Sequence, residues 1–145
     1  MKNLTIRPFN IDDYENVVAL WQQAGLPCRP AGRDSRKSIE KEILQDTCYF
    51  FVAETGGRII GTILGTQDGR KGWINRLAVD KDFRRRKTAQ ILLNTVEKQF
   101  KMDGLEVYAC LIEAQNDTSM KFFEKSGYYK SPGIVYYSKR KNGEV

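Results

Sequence analysis

Four consecutive cations, Arg84, Arg85, Arg86 and Lys87, precede an amphipathic segment at residues 88–102. The spacing of apolar residues in that segment predicts a helix, so the cations lie at a helix N-terminus, where the helix dipole is already positive. Cations at this end cost stability unless an anion binds. A phosphate would supply the negative charge and accept hydrogen bonds from the free N–H groups of the first helical turn. The pattern therefore predicts a phosphate-binding loop.

A solvated basic loop and a nucleic-acid-binding patch are the alternatives for these cations. The formal net charge of +6 suits either a polyanion or a phosphorylated ligand, and charge alone does not choose between them. The loop lacks the interleaved aromatic side chains on which single-stranded nucleic acid stacks. The phosphate interpretation is therefore favoured, and nucleic acid is not expected as a partner.

The composition narrows the possible chemistry. The chain contains no histidine, which excludes Ser-His-Asp triads, Cys-His dyads and the common His-containing metal sites. We therefore predict no metal ion. Any acid–base chemistry must use carboxylates, tyrosine, cysteine, lysine or water.

Length and cysteine usage indicate the setting of the chain. Its 145 residues predict a single domain over residues 1–145. The three cysteines are widely spaced, which favours a reducing compartment over a disulfide framework. Neither a long apolar run nor a signal-peptide pattern is present, so we expect a cytoplasmic protein without a membrane span.

Alternation, capping residues and turns predict the order β-α-α-β-β-β-α-β-α-β-β. Strands are expected at 4–9, 49–54, 58–66, 73–79, 105–112, at 128 and at 134–139, and helices at 10–24, 34–45, 88–102 and 118–126. The third helix is expected to bury Ile91, Leu92, Val96 and Phe100. Because a helix crosses over between strands 73–79 and 105–112, these strands should be parallel. The predicted fold class is α/β (α+β): a mixed, mostly antiparallel sheet with a central βαβ unit and helices on both faces. Pairing of an exposed strand at 134–138 across two copies would give a homodimer.

This order, together with the pattern L-A-V-x(4)-R-R-R-x-x-A at residues 77–89, resembles the GCN5-related N-acetyltransferase (GNAT) superfamily. The segment Phe-Phe-Glu-Lys-Ser-Gly-Tyr at 122–128 is similar to the family's Phe/Leu-Tyr-Glu-Lys-x-Gly-Phe, and the opening at 6–21 is also typical. The resemblance covers nearly the whole chain. It looks nearest to small bacterial members of unassigned acceptor, related to the ribosomal-protein N-terminal acetyltransferases.

The resemblance implies acetyl-CoA as cosubstrate, with its pyrophosphate in the basic loop. The family's loop reads Gln/Arg-x-x-Gly-x-Gly/Ala, so Arg84 and Ala89 match its ends, whereas Lys87 replaces a glycine. Backbone N–H groups of the strand ending at Val79 would bind the thioester carbonyl and pantetheine, although its side chains could equally be core residues. Asn116 would contact the pantetheine arm, with a helix cap as the alternative. The implied cofactor-binding residues are Leu77, Ala78, Val79, Arg84, Arg85, Arg86, Lys87, Thr88, Ala89, Asn116 and Phe123.

The resemblance also implies that a neutral primary amine attacks the thioester directly in a ternary complex. Phe123 stands where many members have the tyrosine that protonates the departing thiolate. Tyr128 is a candidate substitute, although it could simply pack in the core. Glu113 is the first candidate base and Glu54 the second, with solvent-facing carboxylates as the alternative for each.

The acceptor region of the family corresponds to the loop at 26–33 and the helix that follows. Four cations there could favour an acidic acceptor: Arg29, Arg33, Arg36 and Lys37. The acceptor amine itself, on a protein, a peptide or a small molecule, is left open by the residues. Because Lys87 and Phe123 depart from the family pattern, a non-catalytic CoA-binding or regulatory module is an alternative function, and a basic nucleic-acid-binding domain is another.

Overall fold

The computed structural model describes residues 3–84 and 87–145. Its helices and strands, in chain order, are β1 (Thr5–Pro8), α1 (Tyr14–Gln23), α2 (Arg36–Glu42), β2 (Cys48–Thr55), β3 (Arg58–Gln67), β4 (Lys71–Val79), α3 (Thr88–Met102), β5 (Val107–Cys110) and α4 (Asp117–Lys125). Single 3-10 turns at Ile11–Asp13 and Lys81–Phe83 lead towards α1 and α3. The bounds of α3 are those that the sequence predicts.

The five strands form one sheet in the order β1-β2-β3-β4-β5. Neighbouring strands are antiparallel except β4 and β5, which are parallel and joined by α3. One hydrophobic cluster joins α3 and Phe123 of α4 to one face of the sheet, and a second joins α1 and α2 to the other. The predicted mixed sheet, its βαβ unit and its helices on both faces are confirmed.

The strands predicted at 128 and 134–139 are wrong, because residues 126–145 form no strand. The N–H of Tyr128 donates to the carbonyl of Phe123 as part of the turn that ends α4. Residues 134–137 alternate in sequence like a strand, yet they find no neighbouring strand to pair with, and Ile134 is 74% exposed. β5 is therefore the edge strand of the described sheet, so the βαβ unit lies at that edge and not at the centre, where the sequence predicts it.

Helix α3 packs unusually close to the sheet because glycines face it. A Cβ added to Gly72 would lie 2.4 Å from Cδ2 of Phe100, and one added to Gly65 would lie 2.4 Å from Cγ1 of Val96. Leu92, Val96 and Phe100 are fully buried as predicted, whereas Ile91 is 37% exposed and Leu93 is buried in its place.

None of the helices in the described ranges combines the length and the apolar character needed to cross a membrane. The single domain over residues 1–145 stays a prediction.

Replacing Gly72 with alanine should destabilise the fold by about 1–3 kcal/mol, because the new methyl group would overlap the Phe100 ring. Urea unfolding measures the loss. Gly133→Ala is the matched control, since a Cβ there meets no atom within 4 Å. Equal unfolding midpoints for the two variants would contradict this account of the packing.

Candidate active site

Strands β4 and β5 pair over only part of their length. Their parallel register runs from Lys71 opposite Val107 to Ile74 opposite Cys110, where β5 ends. β4 continues to Val79 and keeps its pairing with β3 alone. A cleft opens beyond Ile74, and the edge of β4 that faces it has backbone groups without a strand partner.

A bulge shapes β4 at the mouth of this cleft. Two residues of β4, Arg76 and Leu77, lie opposite one residue of β3, Ile63. Arg76 has φ 53°, in the left-handed region that non-glycine residues rarely adopt. The Thr62 hydroxyl donates to the Arg76 carbonyl at 2.8 Å and accepts from the Trp21 indole at 3.0 Å. A buried hydrogen-bond chain from α1 therefore holds the bulge.

The Arg76 side chain connects the bulge to the loop between α1 and α2. Its guanidinium donates to Asp34 Oδ1 at 2.6 Å and to the Pro27 carbonyl, and it lies 4.7 Å from the centre of the Trp21 ring. Asp34 is 6% exposed, and its other oxygen accepts from the backbone N–H of Arg29 at 2.8 Å. The buried ion pair thereby fixes the loop against the strand.

A cavity of about 590 Å³ fills the space between this loop, β4 and the chain that follows β5. The loop and α2 contribute Ala24, Gly25, Leu26, Pro27, Arg33, Asp34 and Glu42 to its lining. The sheet contributes Leu64, Thr66, Ile74, Asn75, Arg76, Leu77 and Cys110, and the chain after β5 contributes Leu111, Ile112, Glu113, Asn116, Ser119 and Phe123. Four of the predicted site residues therefore share one cavity: Leu77, Glu113, Asn116 and Phe123.

The segment after β4 is fixed by a buried carboxylate. Asp80 is 3% exposed, and its Oδ2 accepts from Arg58 at 2.6 Å. Its Oδ1 accepts from the N–H of Asp82 at 2.9 Å and so caps the 3-10 turn. Arg84 donates from Nε to the Val79 carbonyl at 3.3 Å, which ties the predicted phosphate loop to the end of β4.

Helix α3 begins without a side-chain cap. Lys87, at the N-cap position, has φ 62°, the left-handed conformation that glycine adopts without cost. Thr88 follows at 1% exposure, and its hydroxyl has no hydrogen-bond partner among the described residues. The first N–H groups of an α-helix have no partner within the helix, so this end has donors for an anion. Ala89 lies in the same turn, and Arg85 and Arg86 lie outside the described residues.

Asn116 is the N-cap residue of α4, and Phe123 is a buried residue of that helix. The Asn116 side chain accepts from the N–H of Ser119 at 3.1 Å, so the helix-cap role is present while the residue also lines the cavity. Phe123 is 6% exposed, and its ring packs edge-on against Tyr128, with the ring centres 5.1 Å apart.

The three predicted acid–base residues lie in different places. Glu113 lines the cavity, is exposed, and accepts a hydrogen bond from Gln115 at 2.7 Å. Glu54 lies on β2 outside the cavity lining and forms an ion pair with Arg7 at 3.2 Å.

Tyr128 also lies outside the cavity lining. Its hydroxyl donates to Glu97 at 2.6 Å, and burial together with this carboxylate raises the pKa of the phenol. The packing role is therefore the one that the structure supports for Tyr128.

Three of the four cations in the loop between α1 and α2 and at the start of α2 already contact other groups of the protein. Arg33 lies 3.4 Å from Asp34, Arg36 pairs with Glu15 at 2.8 Å, and Arg29 donates to the Gly143 carbonyl at 3.1 Å. An acidic acceptor gains little support from them.

Three charged residues of the cavity lining were not predicted as site residues from the sequence: Asp34, Arg76 and Glu42. Asp34 and Arg76 are 42 positions apart, and no local pattern predicts their pairing. Glu42 is the last residue of α2, and burial is the largest of the effects that raise the pKa of its carboxyl group, followed by the charge of Asp34. Across residues 3–84 and 87–145, no cluster of three or more His, Cys, Asp or Glu side chains could hold a metal ion.

The model of the acetyltransferase (GNAT) family matches residues 14–128. The chain belongs to the GNAT family. A curated relative, acetyltransferase SG1711 of Sodalis glossinidius (strain morsitans), is 32% identical over 137 residues, covering 94% of this chain and 95% of the relative.

Solved structures share the GNAT fold. AAC(6')-Iy in complex with the bisubstrate analogue CoA-S-monomethyl-acetylneamine has a TM-score of 0.78 at 22% identity, covering 96% of this chain and 99% of that one. The PaiA N-acetyltransferase of Thermoplasma acidophilum in complex with coenzyme A has a TM-score of 0.77 at 20% identity, with 86% and 88% covered. The predicted GNAT membership is confirmed, and the relation to ribosomal-protein acetyltransferases stays a prediction.

In this GNAT protein, Arg76→Ala should lower the free energy of unfolding by about 3–5 kcal/mol, because Asp34 would remain buried without its cation. Arg36→Ala is the matched control: it breaks an exposed ion pair and should cost about 0–1 kcal/mol. Chemical denaturation measures both. A loss below 1 kcal/mol for Arg76→Ala would contradict the role given to this pair.

Proposed function

We propose that this protein transfers the acetyl group of acetyl-CoA to a primary amine by direct attack within a ternary complex. The observation that carries the proposal is the divergence of β4 from β5 beside the uncapped N-terminus of α3. A thioester carbonyl at the free edge of β4 and a pyrophosphate at α3 would use both sets of unpaired N–H groups. The cavity has room for an amine beside them.

The phosphate cradle consists of residues 84–89, with Arg84 tied to β4 and Lys87 in the conformation expected of glycine. Lys87 therefore adopts at this turn a backbone conformation that the family's glycine could also adopt. Its ammonium supplies a further positive charge. The unpartnered hydroxyl of Thr88 is consistent with a polar ligand at this turn.

The thioester would bind along Leu77, Ala78 and Val79, with Asn116 on the pantetheine arm across the cleft. An N–H group that donates to the developing oxyanion is worth roughly 2.7–4 kcal/mol in a hydrolase from which one such donor was removed. The side chain of Ala78 is buried in the core, so packing and backbone binding are compatible on this strand.

Two structural neighbours support both halves of the proposal. PaiA is an N-acetyltransferase bound to coenzyme A, and the AAC(6')-Iy structure contains an analogue that joins CoA to an amine-derived acceptor. We carry over the use of CoA and an amine, and leave the acceptor's identity open. Cytoplasmic location and a homodimer also stay predictions.

Binding and turnover of acetyl-CoA test the proposal together. A ligand at a hundredfold excess over its Kd stabilises the folded state by about 2.7 kcal/mol, so acetyl-CoA should raise the Tm. Arg84→Ala should reduce this shift while leaving the Tm of the free protein nearly unchanged. Thiol release is then measured over a panel of amines. No shift with acetyl-CoA or CoA would overturn the proposal.

A non-catalytic CoA-binding module is the second candidate, because Phe123 cannot donate a proton. It predicts a Tm shift with CoA and acetyl-CoA but no thiol release with any amine in the panel. A duplex oligonucleotide in the same thermal assay tests the nucleic-acid alternative, for which it alone would raise the Tm.

Phe123→Tyr should leave turnover unchanged or raise it. The ring borders the cavity, and a thiol pKa near 8.5 makes the thiolate a tolerable leaving group even without a proton donor. General acid catalysis is typically worth about 10²–10⁴-fold, which sets the largest gain. Thiol release at saturating acetyl-CoA measures it, and Phe122→Tyr is the control. A large loss of turnover specific to Phe123→Tyr would contradict the expectation.

A further inference from the structure

Three carboxylates border the cavity: Asp34, Glu42 and Glu113. An amine that enters as an ammonium ion must lose a proton before its nitrogen can attack a carbonyl carbon. A carboxylate can take that proton only if it is free to do so. The three carboxylates therefore have to be compared by the hydrogen bonds and ion pairs that each already makes.

Asp34 is fully engaged. One oxygen accepts from Arg76 at 2.6 Å, and the other accepts from the Arg29 N–H at 2.8 Å and from Arg33 at 3.4 Å. Protonating this carboxylate would break the ion pair that joins the acceptor loop to β4. Asp34 is therefore a structural anion.

Glu113 is exposed and hydrogen-bonded to Gln115, on the chain after β5. An exposed carboxylate keeps its hydration, and water competes with an incoming ammonium ion for it. It therefore offers an incoming ammonium ion the weaker electrostatic attraction.

Glu42 differs from both. It is half-buried at the end of α2, and its carboxylate makes no hydrogen bond or ion pair with any residue in the described ranges. It borders the same cavity as Leu77, Asn116 and Phe123, which belong to the proposed donor site. A carboxylate at a helix C-terminus also faces the negative end of the helix dipole, so this placement costs stability.

We infer that Glu42 receives the acceptor's ammonium group and acts as the general base of the reaction. The inference rests on the proposed function. It also assigns the end of the cavity near α2 to a cationic primary amine, since Glu42 forms no ion pair with any of the residues that the structure describes.

The surroundings of Glu42 suit it to this task. Its pKa is raised by burial first and by the charge of Asp34 second, whereas Arg76 lowers it. The charge of Glu42 in turn contributes, after burial, to the raised pKa of the Cys48 thiol. Arg33 and Glu113 are the other charged groups on the cavity lining. A raised pKa makes the carboxylate a stronger base.

The amine nitrogen loses two protons in this reaction. The ammonium nitrogen gives one proton to Glu42 and then forms the C–N bond to the thioester carbon. The C–S bond breaks as the tetrahedral intermediate collapses, and the sulfur leaves with the electron pair. The second nitrogen proton passes to the thiolate through solvent, and Glu42 returns its own proton to solvent.

Glu42→Gln removes the base while keeping the size of the side chain, and Glu40→Gln is the matched control on the exposed side of the same helix. Two small amines serve as probes at neutral pH: ethylamine, which is almost wholly protonated, and hydroxylamine, which is mostly neutral. Glu42→Gln should lower kcat/KM for ethylamine by about 10²–10⁴-fold and for hydroxylamine by much less. Glu40→Gln should change neither. Mass spectrometry of the acetylated products measures the rates.

Equal losses for the two amines, or no loss for either, would overturn the inference while leaving the proposed function intact. If acetyl-CoA neither shifts the Tm of the unaltered protein nor is consumed, the proposed function fails first. The two failures are therefore distinguishable. Acetyl-CoA binding by Glu42→Gln should equal that of the unaltered protein, which shows that the donor site is undisturbed.

A stability measurement separates the base from a structural role. Folding raises the pKa of this carboxyl group, so the folded state binds its proton more tightly than the unfolded state does. The contribution of Glu42 to the free energy of unfolding therefore falls as the pH rises through the raised pKa. Glu42→Gln should therefore have a higher Tm than the unaltered protein at neutral pH and an equal Tm near pH ~4, below the ordinary carboxyl pKa. A lower Tm at neutral pH would mean that Glu42 supports the fold, which would overturn the inference.

Discussion

The contact between Arg76 and Asp34 is the interaction on which the site depends. Arg76 occupies a backbone conformation that is costly for any residue with a side chain, and its guanidinium compensates by contacting a carboxylate, a carbonyl and an indole ring. Both charges are nearly removed from water, so each requires the other. The pair thereby couples the shape of β4 to the position of the loop between α1 and α2. A change at either end would be felt at the other.

The two halves of the cavity are lined by different kinds of group. The half in which we propose that acetyl-CoA binds uses backbone groups: the free edge of β4 and the uncapped start of α3. The half proposed for the amine uses side chains from the loop after α1 and from α2. Asp80 supports the first half, since it joins Arg58 of β3 to the turn that follows β4. A buried carboxylate thus anchors each half, and neither anchor is free for chemistry.

The sequence predicts the elements well where local patterns decide them. Helix α3 has its predicted bounds, because its apolar spacing and the glycine after its end act locally. The parallel register of β4 and β5 follows from the crossover. Asn116 and Phe123 reach the cavity because Asn116 is the N-cap of α4 and Phe123 lies on that helix.

The remainder depends on long-range packing, which composition does not reveal. Residues 134–137 alternate like a strand, but a strand requires a neighbour, and no part of the described chain supplies one. The pairing of Glu54 with Arg7 joins two strands that are far apart in sequence, so no local pattern predicts it. No local pattern distinguishes Glu42 from other helical glutamates, since only the fold brings Asp34 and the end of α2 together. Lys87 stands where the family has a glycine, and it adopts the left-handed conformation that glycine favours.

The early separation of β4 from β5 has an evolutionary consequence. A thioester held by main-chain donors does not require any particular side chain on that strand, so substitutions that keep the bulge would leave the cosubstrate in place. In the proposed site, recognition of the amine would by contrast depend on a few side chains of one loop and one short helix. Substitutions in that small region would then change the amine that is accepted without altering the groups proposed to hold the thioester.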